Sequence, residues 1–385
     1  MDLGFFTQPI HVPGRKLADT MEEDRMVFRL AESLGYTEAF VGEHITAQRE
    51  NVPNSLMFVA SLADTTTTIK LGTGMHNLIF SHPLVVATNV AWVDHLLRGR
   101  FLFGIGAGVT FSDVEAFGLV QKDRRAMFDE AISQVLALWG GEPPYDLSGE
   151  FWDISTVRSR WPELGLGEVI KPYQEPHPPI LFGSGDANSK RLATYGRRGW
   201  HMLSSDTLPA TRLAQQWANY ASGCGDAGRE AGRRGWRVVR AIFVADDEKT
   251  ALEYGNKHPD SPYRSHFEEY ALKFRRGRLL DVLKAHPADS DETVTVDYML
   301  DNCVITGTPD QVAEQILAIR EAAGPFGTLV YAGKNWSDPE LSRRSMELMA
   351  EEVMPKVNAA IGPEHWGDVT PTSSPVRAGR EESPE

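Results

Sequence analysis

The chain is 385 residues long, with 42% hydrophobic and 24% charged residues and a formal net charge of −14. Those proportions are ordinary for a water-soluble globular protein, and the acidic surplus argues against nucleic acid or an anionic membrane as the main partner. The length admits two domains or one large α/β barrel, since such barrels run to about 250 residues before insertions.

Residues 1–20 contain no apolar run of signal length, and no stretch reaches the ~20 apolar residues that span a bilayer. The chain has 2 cysteines. Cys224 and Cys303 lack metal-type spacing, and a reducing cytoplasm suits them better than a disulfide framework does.

DLGFFT (2–7) is a short apolar strand. A helix follows from about Thr20 to Leu34, with Met26, Val27, Leu30 and Leu34 at helical spacing and Gly35 as its stop. EAFVGEH (38–44) is a second strand, Ser55–Asp64 a helix, and IKLGTGMH (69–76) a third strand. An amphipathic crossover helix, about Pro83–Leu97, leads to RFLFGIGAG (100–108). That βαβ unit implies parallel strands and a right-handed connection.

The alternation continues with a helix at about Arg124–Trp139. Residues 140–179, rich in Gly, Pro, Trp and charge, break the rhythm and read as an insertion. ILFGSG (180–185), a helix near Ser189–Tyr195, GWHMLSS (199–205), a helix near Leu208–Ser222 and WRVVRAIFVA (236–245) follow. Residues 246–300 are charged and helical, a second insertion. DNCVITG (301–307) is a short strand or turn, and Thr308 and Pro309 read as the N-cap and first residue of a helix. TLVYAG (328–333) is the last strand, followed by a helix at about Asp338–Ala359. Residues 371–385 lack apolar content and are expected to be disordered. About eight strands, each with its helix, suit one (β/α)8 barrel over residues 1–370 better than an open doubly wound sheet.

In such barrels, ligands sit at the carboxyl ends of the strands. His44 ends the second strand and His76 the third, where a histidine does acid–base work or bonds a loop carbonyl. His82 and His95 read as structural. Gly72, Thr73 and Gly74, and Gly104, Gly106 and Gly108, mark strands that something approaches closely, a flat ring or the barrel's own packing. GSGDANS (183–189) opens a helix with small residues and N–H groups, suiting phosphate or simply capping the helix. Arg275 and Arg276 read as a lid clamp or a solvated cluster. Metal and covalent-nucleophile mechanisms have no support in the motifs.

EHITAQRENVPN, IKLGTGMHNLIFSHPLVVA, LLRGRFLFGIGAG, KPYQEPHPPI and DNCVITGTPDQVAEQI together resemble the bacterial luciferase-like family of flavin-dependent monooxygenases. The resemblance runs from residue 2 to about 356 and is nearest the diketocamphane and limonene monooxygenase branch. It implies a (β/α)8 barrel, reduced FMN supplied by a separate NAD(P)H:flavin reductase, and a C4a-peroxyflavin that oxygenates a small apolar substrate. A terpenoid or cyclic ketone is implied, through Baeyer–Villiger oxidation, epoxidation or hydroxylation. A homodimer is implied too.

By the same resemblance the flavin ring lies over Thr73, Gly74, Met75, His76, Gly104 and Gly106, with a non-proline cis peptide near Gly74–Met75. The phosphate lies at Ser184, Gly185 and Ser189, and His44 is an active-site histidine. The family's second histidine of that motif is Ile45 here. Gly106 and Ala107 replace the Cys and Arg of luciferase, so phosphate affinity falls to backbone N–H groups, Arg191 or Arg275 and Arg276. Phe6, Phe103, Phe111, Met75 and Trp336 are available to line the mouth and keep water out. A deazaflavin-dependent hydride-transfer enzyme and a non-catalytic flavin-binding protein share the same fold and stand as alternatives.

Overall fold

Parallel strands covered on both faces are almost wholly apolar, and the strand segments here have that character. The computed structural model describes residues 1–11, 13–334 and 336–364, without the Lys257 side chain. The expected disordered segment 371–385 lies outside the described residues. Strands β1 (Asp2–Thr7), β2 (Glu38–Val41), β3 (Lys70–Thr73), β4 (Phe101–Gly106), β5 (Ile180–Ser184), β6 (His201–Ser204) and β7 (Arg237–Val244) pair in parallel in that order. Among the described residues, a short β8 (Val304–Gly307) pairs with the outer half of β7 alone. Strand β9 (Thr328–Ala332) pairs with both β1 and β7 and closes an eight-stranded barrel.

The barrel interior is packed, not open. Phe6, Phe40, Leu102, Leu181, Leu203, Val239 and Val330 fill it. Below them, at the N-terminal end, Arg237 donates to both oxygens of Glu38 at 2.6 and 2.8 Å, with His201 alongside at 3.3 Å. Burial and the Arg237 charge push the His201 imidazole down to about 3, so it is neutral at pH 7. This plug closes that end of the barrel, and a ligand can enter only from the other.

Two glycines of β3 and its extension answer to this packing. A Cβ on Gly72 would lie 2.5 Å from the Phe40 ring, and one on Gly74 would lie 2.8 Å from Phe6. Strand three does not run on to His76 as the sequence suggests. It stops at Thr73, passes through a cis Gly74–Met75 peptide, and pairs with β4 again at His76–Asn77. Residues 301–303 finish a helix, Val296–Cys303, before β8 begins. Thr308 and Pro309 start the helix Pro309–Ala323 as expected, with the Gln311 side chain accepting the Thr308 N–H. The last helix is interrupted by a π turn at Met349–Val353.

The two long inserted segments reach opposite ends of the barrel. Residues 140–179 carry a small hairpin, Asp146–Leu147 with Ile154–Ser155, and pack near the strand starts. Residues 246–300 build a separate apolar cluster around Phe243, Tyr263, Phe267 and Leu300. Their longest helix, Pro262–Arg276, lies over the strand ends.

Candidate active site

The carboxyl ends of β2 and β3 are tied together by one buried carboxylate. Glu43 accepts from Ser55 N and Oγ, from Asn77 N and Nδ2, and from His76 Nδ1 at 2.8 Å. Burial alone would raise this carboxyl, but the His76 charge and these hydrogen bonds outweigh it and hold Glu43 at about 2. A carboxylate can only accept, so the proton of His76 sits on Nδ1, and Nε2 is the nitrogen that faces no carboxylate. Asn77 Oδ1 in turn accepts Gly108 N at 3.1 Å, fixing the loop after β4.

His44 stands in a second set. Its Nε2 is 2.9 Å from Glu50 Oε2, and its Nδ1 is 2.9 Å from Thr110 Oγ1 and 4.0 Å from Asp113. Lys273 of the mouth helix reaches Glu50 Oε1 at 3.3 Å. Burial works against charge on His44, but Glu50 prevails and holds the imidazole above its ordinary value. Glu50, itself buried, is kept at about 2 by His44 and Lys273 against the cost of desolvation. His44 and His76 therefore border the mouth in separate networks.

A third set lies across the barrel. Lys334, just past β9, pairs with Asp206, just past β6. His266 of the mouth helix has Nε2 4.0 Å from the same Asp206 oxygen, and Tyr270 OH bonds Gln8 at 2.9 Å. Burial, reinforced by the Lys334 charge, pushes His266 down to about 3.

Between these sets, Met75 lies on a slot cut by three glycines. Added Cβ atoms at Gly104, Gly106 and Gly183 would come within 3.0–3.2 Å of its side chain. Gly104 also faces Thr73 O at 1.9 Å from such a Cβ, and Thr73 Oγ1 donates to Gly104 O at 2.6 Å. The close approach that the glycines signalled is thus made by Phe40, Phe6, the β3 backbone and Met75.

At the end of β5, Ser184 Oγ bonds the backbone of Asp186, and Asp186 Oδ1 accepts Asn188 N. Ser189 Oγ accepts Arg191 N at 3.4 Å, ahead of the helix Arg191–Arg198. Gly185 leaves room for Thr207, whose Oγ1 would sit 3.1 Å from a Cβ there. Arg191 pairs with Asp129 at 2.5 Å, on the helix Arg124–Gly140. At the start of that helix, Arg124 donates to Gly108 O at 3.1 Å. Arg191 therefore stands beside this small polar turn, and Arg124 at the loop after β4.

Several sequence candidates lie elsewhere. Arg275 donates to Val294 O within its own insertion, and Lys273 is the cation of that helix that reaches the mouth. Phe103 packs outward against Trp139, and Trp336 lies with Phe5, Phe243 and Tyr331 on the outer flank of the barrel. His82 caps the helix Pro83–Leu96, and His95 bonds Lys171 O. Glu43, Glu50, Lys273, Thr110 and Arg124 were not singled out from sequence. Only Glu43, directly before His44, stood where a strand-end pattern would find it.

The luciferase-like monooxygenase family model matches residues 1–325. The chain belongs to that family. The 4-hydroxyprotoasukamycin monooxygenase of Streptomyces nodosus subsp. asukaensis is 28% identical over 94% of this chain and 93% of that one. Limonene 1,2-monooxygenase of Rhodococcus erythropolis is 26% identical over 94% and 88%. Among solved structures, the oxygenating constituent of 3,6-diketocamphane monooxygenase of Pseudomonas putida, a type II Baeyer–Villiger enzyme in complex with FMN, superposes with a TM-score of 0.81. It is 27% identical, covering 93% of this chain and 99% of that one. This luciferase-like monooxygenase is an enzyme, an oxidoreductase, and its barrel mouth is the place to look for its chemistry.

Proposed function

We propose that the mouth binds reduced FMN, supplied by a separate NAD(P)H:flavin reductase, and uses O2 to oxygenate a small apolar terpenoid or cyclic ketone. The observation that carries this reading is the arrangement around Met75. Met75, seated on Gly104, Gly106 and Gly183, lies between the strand-end histidines and a small polar turn beside Arg191.

The residues fit a flavin at both of its ends. Thr73, the Gly74–Met75 peptide, Gly104 and Gly106 would take the ring. Ser184, Gly185, Ser189 and the guanidinium groups of Arg124 and Arg191 would take the phosphate, as anions favour a helix start. Bound reduced flavin supplies the electrons that activate O2 for transfer of one oxygen atom. Around it, this chain excludes water with the mouth helix Pro262–Arg276 and offers polar groups at the His44–Thr110 pair and at His76 Nε2. A ketone substrate would give an ester or lactone, and an alkene an epoxide. The structural relative's description as an oxygenating constituent supports a two-component system.

We also propose a homodimer. Met57, Val85, Trp92 and Leu96 form an exposed apolar strip on the helices Ser55–Ala60 and Pro83–Leu96, with Trp92 63% exposed. Sedimentation at micromolar concentration should show a dimer that Trp92→Glu dissociates. A monomeric wild type would contradict this part. No helix among the described residues is long and apolar enough to cross a membrane. Cys224 and Cys303 are buried and unpaired, which supports a cytoplasmic location.

The test of the function is turnover of a panel of monoterpenes and cyclic ketones with reduced FMN under ¹⁸O2. Incorporation of one labelled oxygen into product is the expected result. Turnover without label, or turnover only with a reduced deazaflavin, would overturn the reading.

A further inference from the structure

Glu50 is shared between two cations, one oxygen to each. Oε2 faces His44 Nε2 at 2.9 Å, and Oε1 faces Lys273 Nζ at 3.3 Å. Lys273 is also held by Glu269 of its own helix at 2.8 Å, and Arg49 approaches that same Glu269 at 3.6 Å. The other charged group near His44 is Asp113, 4.0 Å from Nδ1. Its oxygens are occupied by Ile45 N, Thr46 N and Thr46 Oγ1. His266, from the same helix as Lys273, faces Asp206 at 4.0 Å, and burial keeps it neutral. Glu50 is thus the carboxylate in contact with His44, and Lys273 competes for its charge.

The far side of His44 is a hydroxyl. Thr110 Oγ1 lies 2.9 Å from Nδ1, in the loop between β4 and the helix Phe111–Ala116. A hydroxyl has one hydrogen and can also accept. With His44 neutral and its proton toward Glu50, Nδ1 is an acceptor, and the Thr110 hydrogen is spent on it. With His44 charged, Nδ1–H donates to Thr110, whose own hydrogen is released for another partner.

We infer that Glu50 and Lys273 are positioning residues that set the charge of His44, and that this charge decides whether Thr110 offers the mouth a hydrogen or a lone pair. The role of Thr110 toward oxygen or substrate rests on the function proposed above, but the charge-setting by Glu50 and Lys273 does not. Lys273 comes from the inserted mouth helix, so the insertion reaches into the protonation of a strand-end histidine without touching it.

Glu50 and Lys273 act on the charge of His44 in opposite directions, and that gives the test. Titration of ¹³C-labelled histidine by NMR in the full-length protein without flavin reads His44 directly, its signal assigned by loss in His44→Gln. Glu50→Gln should lower the His44 midpoint by about one pH unit or more, since an opposite charge in contact is removed. Lys273→Met, a change at a half-exposed side chain that leaves the fold alone, should raise it. Midpoints that stay put, or move the same way in both variants, would overturn the inference.

The pH profile for reoxidation of protein-bound reduced FMN is the second readout. It should move with the NMR midpoint in each variant, and Thr110→Val should remove its pH-dependent limb. A limb that survives Thr110→Val would overturn the role of Thr110. Midpoints that move as stated beside a reoxidation profile that does not would leave Glu50 and Lys273 in place and remove flavin chemistry from this mouth.

Discussion

The two insertions differ in what they can influence. Residues 140–179 leave a helix, and a helix in this barrel ends at the N-terminal face. Their anchors are therefore structural groups at that face. Glu130 accepts the N–H groups of Glu150, Phe151 and Trp152, and Lys171 donates to Leu138 O and Gly141 O. Buried Asp94 takes Gln174 N and Nε2 at 2.8 and 2.7 Å. Residues 246–300 instead leave β7 at its carboxyl end, and their side chains meet Gln8, Glu50 and Asp206 beyond β1, β2 and β6. The point of entry alone decides which insertion can take part in chemistry.

The strongest way to break this contrast is His44→Ala. Oxygenation should fall about 10²- to 10⁴-fold, the ordinary worth of a positioned acid–base group, with flavin affinity little changed. An unchanged coupled rate would detach the mouth network from the reaction. Next come two buried carboxylates, one at each end. Glu43→Ala strands His76 and the N–H groups of Ser55 and Asn77, and should cost about 3–5 kcal/mol in urea unfolding and most of the activity. Asp94→Ala strands Gln174, and should cost about 1–3 kcal/mol while oxygenation per folded molecule stays as in the wild type. Lost turnover in folded Asp94→Ala would blur the two ends.

Acid should separate the insertions more gently. Glu43, Glu50 and Asp206 sit at about 2 in the fold, below their ordinary 4.5, 4.5 and 3.8. His266 sits at about 3, below its ordinary 6.5. The unfolded chain therefore binds protons that the folded mouth refuses. Their stabilisation is intact above about pH 6.5, and declines as the pH falls toward 2–3. In the first insertion, burial lowers His177, while burial of its anchor Asp94 raises that carboxyl and so works in the opposite sense. Hydrogen exchange compared at pH 7 and pH 4 should show protection lost over residues 262–276 before residues 140–179. Equal losses would contradict the contrast.

Much of this fold was legible because a buried parallel strand has a plain signature. Runs such as DLGFFT and TLVYAG marked β1 and β9 almost to the residue. Strand three misled, because IKLGTGMH reads as continuous while the chain turns at Gly74–Met75. The glycines announced close approach, but sequence cannot say that the approaching groups are Phe40, Phe6 and Met75. His44 and His76 were found by position at strand ends. Their partners were harder. Lys273 and Glu50 are 223 residues apart, and nothing local in a charged helix marks which lysine faces inward. Arg124 was hidden in the same way, as one of two adjacent arginines at a helix start.

The measurement closest to the central claim is rapid mixing of the protein and reduced FMN with oxygenated buffer, followed by absorbance. Reoxidation held back relative to free reduced FMN, and faster again in His44→Ala, is the expected result. Reoxidation at the free rate in the wild type would contradict the assignment of oxygen chemistry to this barrel mouth.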